Sequence, residues 1–200
     1  MRWHEDYDIP QSNLARRLAV VQERLREVLH GAAPGPIRLV SLCGGEGRDL
    51  FGALDGHPRR VDVRARLVEL NPRLAARARD RVDGMAVDVR EADAGQTDVY
   101  IGAVPADVVL LCGVFGNISD DDIAHTIRAM TGFTAPGAHV IWTRHRGEPD
   151  LVPSINDWFA EQGFELVWLS DKDVGYGVGV HRFTGVPQSL PAGQRLFTFL

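Results

Sequence analysis

Residues 37–50 read Ile37-Arg38-Leu39-Val40-Ser41-Leu42-Cys43-Gly44-Gly45-Glu46-Gly47-Arg48-Asp49-Leu50, a short apolar run that passes into a glycine cluster and then a helical start. The apolar half, residues 37–43, has the length and composition of a buried strand. Glycines directly after a strand let the backbone approach a ligand with no Cβ in the way, and the helix start beyond them offers free N–H groups. A strand, a glycine turn and a helix in that order open a βαβ unit, so the rest of the chain is read for further units.

Further units follow on the carboxyl side. Residues 61–70 hold a second strand ending in Val68-Glu69-Leu70-Asn71-Pro72, and Pro72 suits the first turn of a helix through Val82. Residues 85–90 form a third strand and 107–112 (DVVLLC) a fourth, the most continuously apolar, as suits a central parallel strand. Ser119 and Asp122 make a capping box, with Asp in place of Glu, for the helix DDIAHTIRAM. Residues 138–143 are a fifth strand, and Asp150 caps a helix over 152–162 that Gly163 stops. On the amino side, Ser12 caps a helix to Leu29 whose Leu14, Leu18, Val21, Leu25, Val28 and Leu29 share one face. Residues 165–169, 178–183 and 196–199 are β-rich with no helix between them, and strands joined by short turns are antiparallel. The expected fold is α/β and doubly wound: a mostly parallel seven-stranded sheet with an antiparallel C-terminal strand and an added N-terminal helix.

Composition narrows the function classes. The 200 residues carry 22 Lys+Arg against 27 Asp+Glu, a net charge of -5, which disfavours a broad nucleic-acid surface. Of the basic residues only Lys172 is a lysine, and it is expected away from the ligand crevice, so lysine-based covalent chemistry is not expected. No window approaches a membrane span, and the start MRWHEDYD lacks the apolar run of a signal peptide, so a cytoplasmic protein is expected. Cys43 and Cys112 are too few and too far apart for a disulfide framework, and are expected as two small buried thiols at the ends of adjacent strands.

In an open parallel sheet the ligand crevice lies beyond the carboxyl ends of the strands. After strand 1, Gly45-x-Gly47 is followed by Leu50, so the third glycine of a dinucleotide fingerprint is missing. After strand 2, Glu69 stands 22 residues beyond Gly47, and a carboxylate there can accept both hydroxyls of a ribose. After strand 3, in Glu91-Ala92-Asp93-Ala94, Asp93 can accept from an exocyclic amine while a neighbouring N–H reads a ring nitrogen.

With these residues in place, the chain resembles the class I S-adenosylmethionine-dependent methyltransferases. The resemblance rests on LVSLCGGEG (39–47), LVELNP (67–72), EADA (91–94) and DVVLLCGVFGNIS (107–119), and covers residues 37–184. The helix-free tail matches that family's antiparallel last strand. Two positions depart from the family pattern: Ser41 stands where an acid is usual, and Cys43 where the first motif glycine is usual.

The resemblance implies one domain over 1–200: an N-terminal lid segment and helix (1–30), a Rossmann-like core (37–184) and a C-terminal β tail (185–200). It implies S-adenosyl-L-methionine as cofactor. Cys43, Gly44, Gly45 and Gly47 would approach its amino-acid portion, and Glu69 with Leu70 its ribose. Asp93 with Ala94 would hold adenine, while Cys112 and Gly113 would line the wall near the sulfonium. Methyl transfer is an in-line displacement in which the protein mainly aligns the reactants, aided where needed by a base near neutral pKa. His145 and Asn117 are the catalytic candidates. Trp3, Tyr7, Asn117 and Arg144 are the candidate acceptor contacts, although Arg144 and Arg146 can equally pair with Glu148 and Asp150.

Asp120, Asp121 and Asp122 read as complements to a helix dipole, so no metal is expected. The expected partner is a small-molecule acceptor, with no nucleic acid and no membrane, the protein being a monomer or homodimer. Two other readings stay open: a non-catalytic protein that binds S-adenosylmethionine or S-adenosylhomocysteine, and an NAD(P)-dependent oxidoreductase. The missing glycine and the antiparallel tail count against the oxidoreductase.

Overall fold

The computed structural model describes residue 9 and residues 12–200. Trp3 and Tyr7, and the lid expected of their segment, lie outside the described residues. Ser12 Oγ accepts from Ala15 N at 3.0 Å and starts α1 (Asn13–Gly31), which buries Val21, Leu25 and Leu29. Alternation then proceeds through β1 (Ile37–Leu42), α2 (Arg48–Leu54), β2 (Val63–Glu69), α3 (Pro72–Asp80), β3 (Ala86–Glu91), β4 (Ala106–Leu111), α4 (Asp120–Phe133), β5 (Thr134–His145), α5 (Val152–Glu161), β6 (Phe164–Leu169) and β7 (Tyr176–Phe183). Single 3-10 turns at Arg60–Asp62 and Thr97–Tyr100 supplement these.

The seven strands form one sheet in the order β3-β2-β1-β4-β5-β7-β6. β1 runs parallel to β2 on one side and β4 on the other, so the winding reverses between β1 and β4. β7 is antiparallel to both of its neighbours, β5 and β6. The expected architecture is therefore the observed one. Leu39, Leu67 and Leu110 pack beneath α1 and α2 against Leu25, Leu29 and Phe51. Val40, Val109, Val140 and Trp142 pack on the other face against Ile127, Phe133 and Phe159 of α4 and α5. Cover on both faces is why β1 and β4 read as near-continuous apolar runs, broken by Arg38 and Ser41 in β1 and by Asp107 in β4, rather than as alternating ones.

The structure departs from expectation in several places. α4 passes directly into β5, which starts at Thr134 and shifts register between Ala106 and Val108 of β4. Pro136 and Gly137 fall in that irregular stretch, where their strand-breaking character is tolerated. The capping box of α4 is half closed: Ser119 Oγ accepts from Asp122 N at 3.1 Å, but the Asp122 carboxylate accepts from Thr198 N instead of reaching back. Leu151, not Asp150, is the N-cap of α5, while Asp150 Oδ1 accepts from Val152 N at 3.0 Å. The tail beyond residue 184 forms no strand. It runs along α4 through Gln188 N to Thr131 O, then makes two isolated antiparallel bridges, Gln96–Arg195 and Ile118–Phe199. Among the described residues no helix is long and apolar enough to cross a membrane.

Candidate functional site

The β1–α2 turn is built from left-handed backbone. Cys43, Gly45 and Gly47 have φ of 53°, 56° and 72°, and of the three only Cys43 carries a side chain. Left-handed backbone costs a non-glycine residue about 1 kcal/mol. At Gly47 substitution is barred twice over, since a Cβ there would also stand 2.4 Å from the Phe51 ring. Gly47 N donates to Gly44 O at 2.8 Å, and Gly44 N donates to Val68 O at 3.0 Å, which ties the turn to β2.

Glu69 ends β2 beside this turn, only 9% exposed. Its Oε2 accepts from Gly45 N at 2.9 Å and its Oε1 from Asn71 N at 2.7 Å. Asn71 in turn caps α3, accepting from Arg73 N at 3.0 Å, with Pro72 in the first turn. The carboxylate is thus fixed between two turns by backbone donors, and each oxygen keeps a lone pair for a hydroxyl. Leu70 beside it is 64% exposed.

Beyond β3, Ala92 N donates to Glu69 O, which draws this loop onto β2. Asp93 Oδ1 accepts from Gly95 N at 2.8 Å, and Asp93 Oδ2 pairs with Arg195 at 3.1 Å. Ala94 is buried, and its carbonyl accepts from the Tyr100 hydroxyl at 2.8 Å. The tail lies directly against this loop: Leu196 N donates to Gly95 O at 2.7 Å, and a Cβ on Gly95 would stand 2.6 Å from Phe197 O. Farther along, Leu200 N donates to Asn117 O at 3.0 Å. Residues 194–200 therefore join the loop after β3 to the loop after β4. Sequence reasoning missed Arg195; the β-rich character of 196–199 was the only signal of the tail's docking.

After β4, Gly113 N donates to Thr143 Oγ1 at 2.9 Å. Asn117 is exposed, and its Nδ2 donates to Gly113 O at 2.8 Å, so the side chain closes the turn it sits in. Cys43 packs on the α4–α5 face and Cys112 on the α1–α2 face, both as free thiols. Burial raises both thiols above their ordinary pKa, with Glu69 and Asp93 adding to it at Cys43 and Asp49 at Cys112. Such thiols are unreactive at neutral pH.

After β5, Arg144 is buried and donates to Phe115 O across the edge. It does not pair with Asp150, which pairs with Arg146 at 2.8 Å instead. His145 is exposed at the same rim, where a Cβ on Gly116 would lie 3.4 Å from its ring. His145 Nδ1 accepts from Gly147 N at 3.1 Å. Partial burial, with Arg144 and Arg17 nearby, lowers its pKa and leaves it neutral at physiological pH; because Nδ1 accepts from Gly147 N, the ring proton sits on Nε2. Asp120, Asp121 and Asp122 occupy the first turn of α4. Lys172 stands in the β6–β7 turn. Because β6 runs parallel to β5, that turn is on the carboxyl edge after all, with Gly175 against Asn13 of α1.

At the opposite, amino edge two surface hollows of about 460 and 590 Å³ are lined by residues such as Arg38, Arg64 and Asp88, and Ile37, His139 and Arg182, respectively. Neither touches the glycine turn.

No family model matches the sequence, and no curated protein matches it. Solved structures match its fold. An O-methyltransferase family protein from Burkholderia thailandensis has a TM-score of 0.67 at 18% identity over 86% of this chain, which spans 56% of that protein's length. Magnesium protoporphyrin IX methyltransferase from Synechocystis PCC 6803 with bound SAH has a TM-score of 0.71 at 9% identity, covering 92% of this chain and 93% of that one. The 1,6-didemethyltoxoflavin-N1-methyltransferase of B. thailandensis, with bound 1,6-didemethyltoxoflavin and S-adenosylhomocysteine, has a TM-score of 0.61 at 17% identity over 82% and 78% of the two chains. The chain thus has the Rossmann-like fold of class I S-adenosylmethionine-dependent methyltransferases.

Proposed function

We propose that this protein transfers a methyl group from S-adenosyl-L-methionine to a small-molecule acceptor. The observation that carries the reading is Glu69, a nearly buried carboxylate held by Gly45 N and Asn71 N beside the glycine turn. A carboxylate pinned by two backbone donors offers a preset pair of acceptors for vicinal hydroxyls. The residues present fit the rest of the cofactor too. The space where a Cβ on Gly45 would point holds no atom within 4 Å, and the buried Ser41 hydroxyl has no partner among the described residues.

When bound, S-adenosylmethionine supplies an activated methyl on a sulfonium whose sulfur leaves as a neutral thioether. The protein's own work is then to bind, orient and exclude water. Glu69 holds the ribose, and the Asp93–Ala94 loop, backed by the tail, holds the adenine. Arg144, through Phe115 O, holds the loop after β4 in place. His145 at the rim takes the acceptor's proton, where the acceptor has one to lose, on Nδ1 once that nitrogen gives up its bond from Gly147 N. A small acceptor fits the acidic net charge of -5, and the solved didemethyltoxoflavin methyltransferase carries a small acceptor of its own.

Calorimetry with S-adenosylmethionine, S-adenosylhomocysteine and NAD tests the reading. Both sulfur ligands should bind and NAD should not; NAD binding tighter than either would overturn it in favour of an oxidoreductase.

A further inference from the structure

Two arginines stand at the carboxyl end of β5, and the protein provides an anion for one of them. Arg146 pairs with Asp150 at 2.8 Å and donates to Ser170 O at 3.3 Å. Arg144 is 7% exposed, and its side chain donates to Phe115 O. Its Nε is buried without a partner, and the guanidinium makes no ion pair among the described residues. Asp120 and Asp150 act on it only from beyond contact. A guanidinium carries five N–H donors, and burying its charge without an anion is costly. A ligand that brings the anion offsets that cost.

The loop after β4 gathers other groups beside that charge. Phe115 O takes the Arg144 bond, and a Cβ on the next residue, Gly116, would lie 3.4 Å from the His145 ring and meet nothing else within 4 Å. A Cβ on Gly113 would meet no atom within 4 Å, so open space borders the loop there.

The tail gives the same loop an apolar border. Leu200 N donates to Asn117 O at 3.0 Å, and Phe199 bridges Ile118. Thr198 N donates to the Asp122 carboxylate at 3.0 Å, which pins the tail to α4. Phe199 packs edge-on against Phe197 at 5.5 Å yet stays 47% exposed, and Leu200 is 94% exposed. Residues 113–118 thus border a cation without an anion, an imidazole and two uncovered apolar side chains.

We propose that this loop is the acceptor site and that the acceptor is an organic carboxylate with an apolar body, the carboxylate on Arg144 and the body against Phe199 and Leu200. The assignment rests on the methyltransferase reading and narrows its acceptor class. A carboxylate matches the planar guanidinium, whose donors lie in one plane. At a net charge of -5 the protein as a whole does not draw anions in, so selection falls on this local cation.

Calorimetry of the S-adenosylhomocysteine complex with hydroxybenzoates and the corresponding hydroxybenzamides tests the site, each amide matching its acid in shape without the charge. Wild type should bind at least one hydroxybenzoate about tenfold or more tighter than its amide, the worth of one charged hydrogen bond. Arg144→Met should hold S-adenosylhomocysteine within about twofold and bind acid and amide within about twofold of each other. Phe199→Ala, at an exposed position, should weaken acid and amide together and keep their ratio. Wild type binding no hydroxybenzoate, or binding acid and amide equally, would overturn the site. So would a preference that survives in Arg144→Met, or probe affinities unchanged in Phe199→Ala. An Arg144→Met variant that loses S-adenosylhomocysteine as severely as the acid would overturn it too, because the arginine would then serve the fold or the cofactor. Wild type failing to bind S-adenosylhomocysteine would overturn the cofactor reading itself, a result separable from loss of the acceptor site alone.

Discussion

His181 makes the stability of this protein fall in mild acid. It lies on β7, 1% exposed, stacked on Phe159 at 4.3 Å, with its Nδ1 accepting from Trp142 Nε1 at 3.0 Å. That bond requires Nδ1 to be unprotonated, since a proton there would face another donor. Burial pushes the folded pKa from 6.5 down to about 4. The unfolded chain therefore takes up the proton first as pH falls. The contribution is complete above pH 6.5 and is lost progressively from 6.5 down to about 4, at about 1.4 kcal/mol per pH unit. Between pH 7.5 and pH 5.0 the loss from this group is roughly 2 kcal/mol, or about 4–8 °C in melting temperature for a chain of this size. His139, also lowered by burial and then by Arg182, adds a background slope of the same sign. His181→Asn keeps an acceptor near the Nδ1 position and removes the titration. Melts of both proteins at pH 7.5, 6.5, 5.5 and 5.0 isolate the difference. The variant should start less stable, having lost the ring stack, yet show the flatter pH profile. Parallel profiles would refute the assignment.

Glu69→Ala should abolish measurable S-adenosylhomocysteine binding and also cost about 2 kcal/mol or more in stability, because Gly45 N and Asn71 N both lose their acceptor; Glu69→Gln, which retains one acceptor, should fall between on urea unfolding. Gly95→Ala should destabilise by about 1–3 kcal/mol by forcing Phe197 O away from a 2.6 Å approach, read as a lower urea midpoint with Arg195→Ala as the mild comparison. Once an acceptor is in hand, His145→Ala should lower turnover while leaving S-adenosylhomocysteine affinity within about twofold, since the imidazole stands at the rim rather than against Glu69 or Asp93; equal effects on both would make it a binding residue.

The alternating half of the fold was legible because the central strands are covered on both faces, so Leu39–Leu42, broken only by Ser41, and Val108–Leu111 read as apolar runs. The place of Glu69 beside the glycine turn was legible because it ends the strand that pairs with β1, whose own end enters that turn. Asn117 and Arg144 were less so. Both look like acceptor contacts by their place after β4 and β5, yet the folded chain spends the Asn117 amide on Gly113 O and an Arg144 nitrogen on Phe115 O. Neither bond leaves a trace in spacing, because each is made between a side chain and a backbone carbonyl that any residue could provide. The tail was read as a strand from its β-rich residues, but only two isolated bridges form. Its partners are loop edges at 96 and 118 rather than a sheet edge, and Leu196 and Phe197 are apolar because they enter the core, not because they pair.

The distribution of satisfied charge along the carboxyl edge of the sheet argues for a preset recognition surface. Glu69 and Asp93 are already held by Gly45 N, Asn71 N, Gly95 N and Arg195, so both carboxylates are oriented before any ligand arrives. Preorganised groups recognise shape with little ordering cost on binding.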